Sequence, residues 1–347
     1  MPASGNVPAL NRPDPGSTRA EAILADRKAN SHRLRPSLVF VAKLAAGIGL
    51  VGFLLWHYDL TSAFQLMRHE RPLLFVATVA LYVGGQLMSA FRWQLLGAIV
   101  GLPGRYSEYV AYYFIGMFTN VFVPGLVGGD ALRALYLGRR HQRIGPAFAS
   151  VIADRGVGLL ALFWLAAVAA LVATSAHLPS SILQATLTAG LASMLLYCAA
   201  PLLARWLTRN HRIGQWLAPA IPYLSQPLAL VPAIALSLLL QISLAFCQYL
   251  LGIGLGLDIA LTTFVLVVPI TNVIASLPVT INGLGMREAG YLVLLGMAGV
   301  SKDQAIALSI LYFAATLAGG FTGIIAFVTT PIPASANERS LALSSEN

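Results

Sequence analysis

Three pairs of opposite charges stand in an otherwise apolar chain: Asp130 with Arg133, Asp154 with Arg155, and Arg287 with Glu288. Placing an ionised side chain at bilayer depth costs about 2.5–3.5 kcal/mol on insertion scales, so charges there mark function by default. Their chemistry suits a lipid phosphate. Guanidiniums fork onto phosphate oxygens, while carboxylates balance charge, take a proton or hold a cationic headgroup. Asp130 and Arg133 are three residues apart and share a helix face, so a self-neutralising structural pair is the competing reading. Asp154 and Arg155 sit at the entrance to a span and point about 100° apart, so each needs a partner elsewhere. Asp154 with Arg133, and Arg155 with Glu288, are the expected crosslinks. Arg92 lies within a turn or two of a span end, where snorkelling is the favoured account.

Two near-duplicate polar breaks must position these charges. Thr119-Asn120-Val121 leads to Pro124, Gly129 and Arg133, and Thr271-Asn272-Val273 leads to Pro278, Gly283 and Arg287. After a two-residue insertion, Pro, Gly and Arg recur at one common offset. Helix breakers and charges at matching places in two halves point to a transporter-type site built from discontinuous helices. A helix starting after Gly128-Gly129, or after Gly283 to Gly285, aims free N–H groups and its positive end into the break, an anion trap beside Arg133 or Arg287. In the plainer reading the glycines permit tight turns and Asp130 caps its helix. Asn120, Asn272 and Gln248 either line a cavity or glue helices together.

The chain has 347 residues, 57% hydrophobic and 10% charged, with a mean hydropathy of +0.75. Polar surface is too scarce for a water-facing globule, and the fold class expected is an all-α polytopic membrane protein. Residues 1–36, basic and rich in polar residues, read as a disordered cytoplasmic tail. Full spans are predicted near residues 37–56, 73–97, 156–174, 181–204, 229–252 and 304–328. Interrupted segments are predicted near 106–138 and 260–298. If each interrupted segment is re-entrant, Arg105, Arg139, Arg140, Arg143, Arg205, Arg209 and Arg212 gather on the side of the N-terminal tail, as the positive-inside rule requires. Two crossing helices per segment, giving eight or more spans, preserve the same sidedness. The halves, about 37–204 and 229–330, are then inverted repeats joined by an interfacial stretch at 205–228. Residues 331–347 form a second cytoplasmic tail.

Little speaks for an enzyme. His32, His57, His69, His141, His177 and His211 fall in tails or at span ends without metal-ligand spacing, and no nucleophile elbow or Walker loop is present. Neither a metal nor a cofactor is expected, and the composition suits a lipid partner rather than a nucleic acid. Cys198 and Cys247 read as structural thiols in apolar segments.

The run Asn120 to Arg133 (NVFVPGLVGGDALR), then Ala149 to Gly156 (ASVIADRG), then Leu277-Pro278 with Gly283 to Glu288 (GLGMRE), resembles the lysylphosphatidylglycerol synthase transmembrane-domain family. The resemblance covers roughly residues 38–330. It implies a flippase-like protein of the bacterial inner membrane that binds or translocates a lipid with an anionic or zwitterionic headgroup. By the same resemblance, the substrate is aminoacylated phosphatidylglycerol in fused relatives, and polyprenyl-phosphate-linked or hopanoid-related lipids in stand-alone ones. Without an aminoacyl-transferase domain after the last span, this chain is not expected to make lysyl-phosphatidylglycerol. Relatives often carry an Arg in the last span where Leu311-Tyr312-Phe313 stands here. The substrate-binding set expected is Asn120, Gly128, Gly129, Asp130, Arg133, Asp154, Arg155, Asn272, Gly283, Gly285, Arg287 and Glu288. Two alternatives stand beside transport: a membrane partner of a separately encoded lipid- or glycan-modifying enzyme, and an intramembrane transferase acting on lipid-linked sugar.

Overall fold

The computed structural model describes residues 65, 71–122, 128–172, 178–209, 214–215, 217–276 and 285–333. The expected span at 37–56, the tail 1–36, nearly all of the tail 331–347, and the break residues Pro124, Pro278 and Gly283 lie outside the described residues. In chain order the helices are α1 (Pro72–Ile99), α2 (Tyr106–Phe122), α3 (Gly128–His141), α4 (Ile144–Val172), α5 (Ser180–Arg209), α6 (Val231–Gly254), α7 (Leu261–Ser276), α8 (Met286–Met297), α9 (Lys302–Phe321) and α10 (Gly323–Thr329). Short helical turns between Ala218 and Leu230 link α5 to α6. The chain is an all-α, multi-pass membrane protein.

Five segments are long and apolar enough to cross a bilayer: Pro72–Ile99, Ile144–Val172, Ser180–Arg209, Pro227–Gly254 and Lys302–Thr329. Pro72 opens α1 in the first turn, where its missing N–H has no helical partner to lose. Ser301 opens α9 by accepting from the Gln304 N–H (3.3 Å), while the Gln304 side chain returns to the Ser301 N–H (3.3 Å). Outward faces remain apolar, with Leu171, Leu191, Leu195, Leu202, Ile325 and Val328 all exposed, as suits helices solvated by lipid.

The span expected from residue 156 begins instead at Ile144. Asp154 and Arg155 mark a membrane boundary by hydropathy, yet the helix carries both past it. Partners on α1 and α3 neutralise them there.

The α2–α3 pair folds back on itself. Near its base Arg140 reaches Glu108 in the first turn of α2 (3.5 Å), and near its tip the Gly129 N–H donates to Asn120 Oδ1 (2.9 Å). These helices have 17 and 14 residues, about 25 and 21 Å at the α-helical rise. The two contacts set α2 and α3 side by side and antiparallel, so the segment returns to the end of the bundle from which it started, as both the re-entrant form and a pair of crossing helices require.

That end also holds the close of α1, the start of α4 and the linker. Arg143 Nη1 donates to Gly101 O (3.0 Å), and Tyr223 OH donates to Leu96 O (2.8 Å). From the linker, α6 runs antiparallel to α1: Arg92 meets Ser237 (2.8 Å), and Thr78 Oγ1 donates to Cys247 O (3.4 Å). It delivers the chain to the opposite end, where α7 begins. Thr271 and Gly290, each a little over a turn from the second break, lie against each other, so α7 and α8 also form a hairpin. The orders α1–hairpin–α4 and α6–hairpin–α9 are thus related by inversion.

Two apolar clusters hold the bundle, and each draws on both halves. One cluster joins Trp93, Leu96, Tyr109, Ile115 and Leu137 with Tyr223 and Ile234. The other joins Leu251, Phe264, Leu266, Tyr291, Leu295 and Leu308.

Candidate functional site

A cavity of about 790 Å³ opens between the halves, bordered by residues of both hairpins. The first hairpin lends it Asn120, Asp130 and Arg133, and the second lends Asn272, Arg287 and Glu288. Arg92 of α1, Asp154 and Arg155 of α4, and Tyr312 of α9 complete the wall. The volume lies in the range of small-molecule pockets, about 300–1,000 Å³.

On the first-hairpin side, charges alternate in one unbroken chain. Ser237 Oγ accepts from Arg92 Nη1 (2.8 Å), and Arg92 Nε donates to Asp154 Oδ1 (2.7 Å). Asp154 Oδ2 accepts from Arg133 Nη2 (2.9 Å), whose Nε donates to Asp130 Oδ1 (3.0 Å). Asp130 Oδ2 then accepts from Arg155 Nε (2.7 Å). Asp154 is 1% exposed and Arg133 3%, whereas the Arg155 side chain at the end of the chain is 48% exposed. The Arg133 guanidinium also lies 4.9 Å from the Trp93 ring centroid and 4.8 Å from that of Tyr113, and its Nη1 is buried without a hydrogen-bond partner. Trp93 is itself fixed by donating to Ser150 Oγ (3.0 Å). Burying so many ions is tolerable only because each meets an opposite charge at hydrogen-bond distance.

The second-hairpin side is built differently. Gly285 takes φ +81°, a conformation open to glycine at no steric cost, and so turns the chain into α8. Its N–H donates to Glu288 Oε2 (2.6 Å), and Ser309 Oγ donates to Glu288 Oε1 (3.1 Å). Arg287 stands 5.6 Å from the Tyr312 ring centroid.

Of the expected crosslinks, the structure contains Asp154 with Arg133. It does not contain Arg155 with Glu288: Arg155 binds Asp130, and Glu288 is held by Gly285 and Ser309. Arg92 does not snorkel; it is 5% exposed and ends on Asp154, because a buried carboxylate offers its guanidinium more than a distant interface. Asn120 and Asn272 line the cavity, but Gln248 packs behind it and accepts from Tyr291 OH. The anion traps are narrower than expected. Gly128 opens α3, yet the Gly129 N–H is spent on Asn120 and the Gly285 N–H on Glu288. Four guanidiniums, of Arg92, Arg133, Arg155 and Arg287, line the cavity. Sequence reasoning passed over Trp93, Tyr113, Ser237 and Ser309. A usable signal existed for Arg92: Ser89 and Trp93 frame it well inside a 28-residue apolar helix.

Residues 40–323 match the family described as the lysylphosphatidylglycerol synthase TM region. The chain belongs to that family. The matched stretch of this lysylphosphatidylglycerol synthase TM-region member takes in both hairpins and every charged residue of the cavity. A UPF0104 membrane protein of Pyrococcus horikoshii is 25% identical over 134 residues, which is 38% of this chain and 40% of the archaeal one. The chain thus spans about two fifths of the curated relative it matches. No solved structure matches.

Proposed function

We propose that this protein is a flippase-like transporter of the bacterial inner membrane, with cytoplasmic termini, that takes a lipid by its charged, phosphate-containing headgroup. One observation carries the reading: two broken-helix hairpins arriving from opposite ends of the bundle border a single charged cavity. A site bordered from both ends can be opened to either face by rocking one half against the other, as inverted-repeat transporters do. Arg155, half exposed and held by only one carboxylate, is the guanidinium best placed to turn onto a phosphate. Asp130 would then be left with Arg133 alone, so headgroup binding and rearrangement of the hairpin tip are linked. The carboxylates serve as charge balance, and the lipid leaves unchanged. The Arg-rich loops at the first-hairpin end support a cytoplasmic placement of that end.

Reconstitution into vesicles tests the reading. Asp130→Ala or Arg287→Ala is expected to abolish movement of a fluorescent phospholipid between leaflets while expression and monodispersity persist. Movement at the unmodified rate in both variants would remove these residues from the transport site.

A further inference from the structure

We infer that Glu288 is a proton-binding site and that its proton is taken up together with the phosphate of the headgroup; the coupling rests on the lipid-binding reading above.

The three carboxylates of the cavity differ in what meets them. Asp154 accepts from Arg92 and Arg133, and Asp130 from Arg133 and Arg155. Guanidiniums only donate, so a proton added to either aspartate would be set against N–H groups that cannot receive it. Glu288 meets neutral groups instead, the Gly285 N–H on Oε2 (2.6 Å) and the Ser309 hydroxyl on Oε1 (3.1 Å). A hydroxyl both donates and accepts. While Glu288 is ionised, Ser309 donates to it. Once Glu288 is protonated the bond reverses: Oε1–H donates to Ser309 Oγ, and the serine hydrogen turns to the carbonyl one turn back along α9, as helical serines do. The Gly285 N–H keeps Oε2 in both states, so the cap that starts α8 survives the change. Both protonation states are hydrogen-bonded without movement of a heavy atom.

The position suits exchange. Glu288 is half-buried and lines the cavity, while Ser309 behind it is fully buried. Arg287 and Tyr291 stand on the same helix, Tyr312 comes from α9, and neither α7 nor the break before α8 carries a titratable side chain. The rest of the cavity wall adds Tyr82, Tyr113 and the charges of the arginine chain. Guanidiniums and phenols do not change charge in the range where a carboxyl does. Among the described residues that line the cavity, Glu288 is thus the carboxyl built to exchange a proton.

Coupling follows from charge. Protonation removes one negative charge from a wall that also holds Arg287, its neighbour in the chain. A phosphodiester therefore binds more tightly to the protonated form, and by reciprocity the proton binds more tightly when the phosphodiester is present. Together the two add no net charge to the cavity, which lowers the cost of carrying the phosphate through hydrocarbon.

Binding of phosphatidylglycerol to the full-length protein in detergent, followed with a pH indicator in weak buffer, tests both parts. Its phosphodiester keeps its charge throughout, so the lipid serves as the anionic probe. In the unmodified protein its affinity is expected to rise as pH falls through the titration of Glu288, by up to about tenfold per pH unit, the limit for one linked proton. Protons are expected to be taken up on binding. Glu288→Gln keeps an oxygen for the Gly285 N–H and an amide that donates to Ser309, but carries no charge. It should hold phosphatidylglycerol at every pH with the affinity that the unmodified protein reaches only in acid, and without proton uptake. A role in the cap alone would lower the affinity of Glu288→Gln and leave the unmodified protein without pH dependence. Binding to the unmodified protein that is independent of pH, or proton uptake that persists in Glu288→Gln, overturns the inference while lipid binding stands. No binding by the unmodified protein at any pH would instead remove the lipid-binding reading, and the coupled proton with it.

Discussion

Asp154 is the residue on which the buried charges depend, since it alone joins Arg92 of α1 to Arg133 of α3. Replacing it by Asn leaves two guanidiniums facing each other out of water. Breaking a buried ion pair in this way costs about 3–5 kcal/mol. Arg155 stands at the half-exposed end of the same chain, where loss of an ion pair costs about 1 kcal/mol or less. Purified Asp154→Asn is accordingly expected to melt well below the unmodified protein, while Arg155→Gln melts within a few degrees of it yet loses lipid movement. Equal melting of the two variants would show that the chain of charges does not brace the fold. The sequence made Asp154 with Arg133 legible because two lone charges in apolar surroundings must seek each other. It left Arg92 ambiguous because a long cationic stem reads equally well as snorkelling or pairing.

At the scale of elements, the hairpins stand on close backbone approach. A Cβ added at Gly129 would lie 2.0 Å from the Gly116 carbonyl oxygen and 2.6 Å from Asn120 Oδ1, so α2 and α3 would have to part. At Gly290 the nearest atom is the Thr271 methyl at 2.9 Å, the end of a side chain that can turn. Gly129→Ala should therefore disrupt the monodisperse peak in size-exclusion chromatography, whereas Gly290→Ala should keep it. A normal profile for Gly129→Ala would mean that the first hairpin is looser than its tip suggests. Spans α1, α5, α6 and α9 were readable from hydropathy, since uninterrupted apolar length has one solution in a bilayer. The start of α4 was not readable, because hydropathy treats Asp154 and Arg155 as if they faced lipid or water.

At the scale of the whole molecule, inversion of the halves places Arg139, at the base of the first hairpin, and Lys302, at the start of α9, at opposite ends of the bundle. In a chain with Cys198 and Cys247 replaced, Arg139→Cys and Lys302→Cys should label from opposite faces of the membrane with an impermeant thiol reagent; labelling from one face would end the inverted arrangement. The sequence by itself determined the class of molecule and four of the span positions, and it singled out charged residues that line the cavity. Those follow from local properties, apolar length and the cost of charge in hydrocarbon, which each segment states alone. Only the tertiary structure decided which charges meet, that Arg92 joins them, and that the Gly129 and Gly285 N–H groups are already spent. Pairing depends on the register and direction of helices far apart in the chain, and a guanidinium has several carboxylates within its reach. Packing chooses among them.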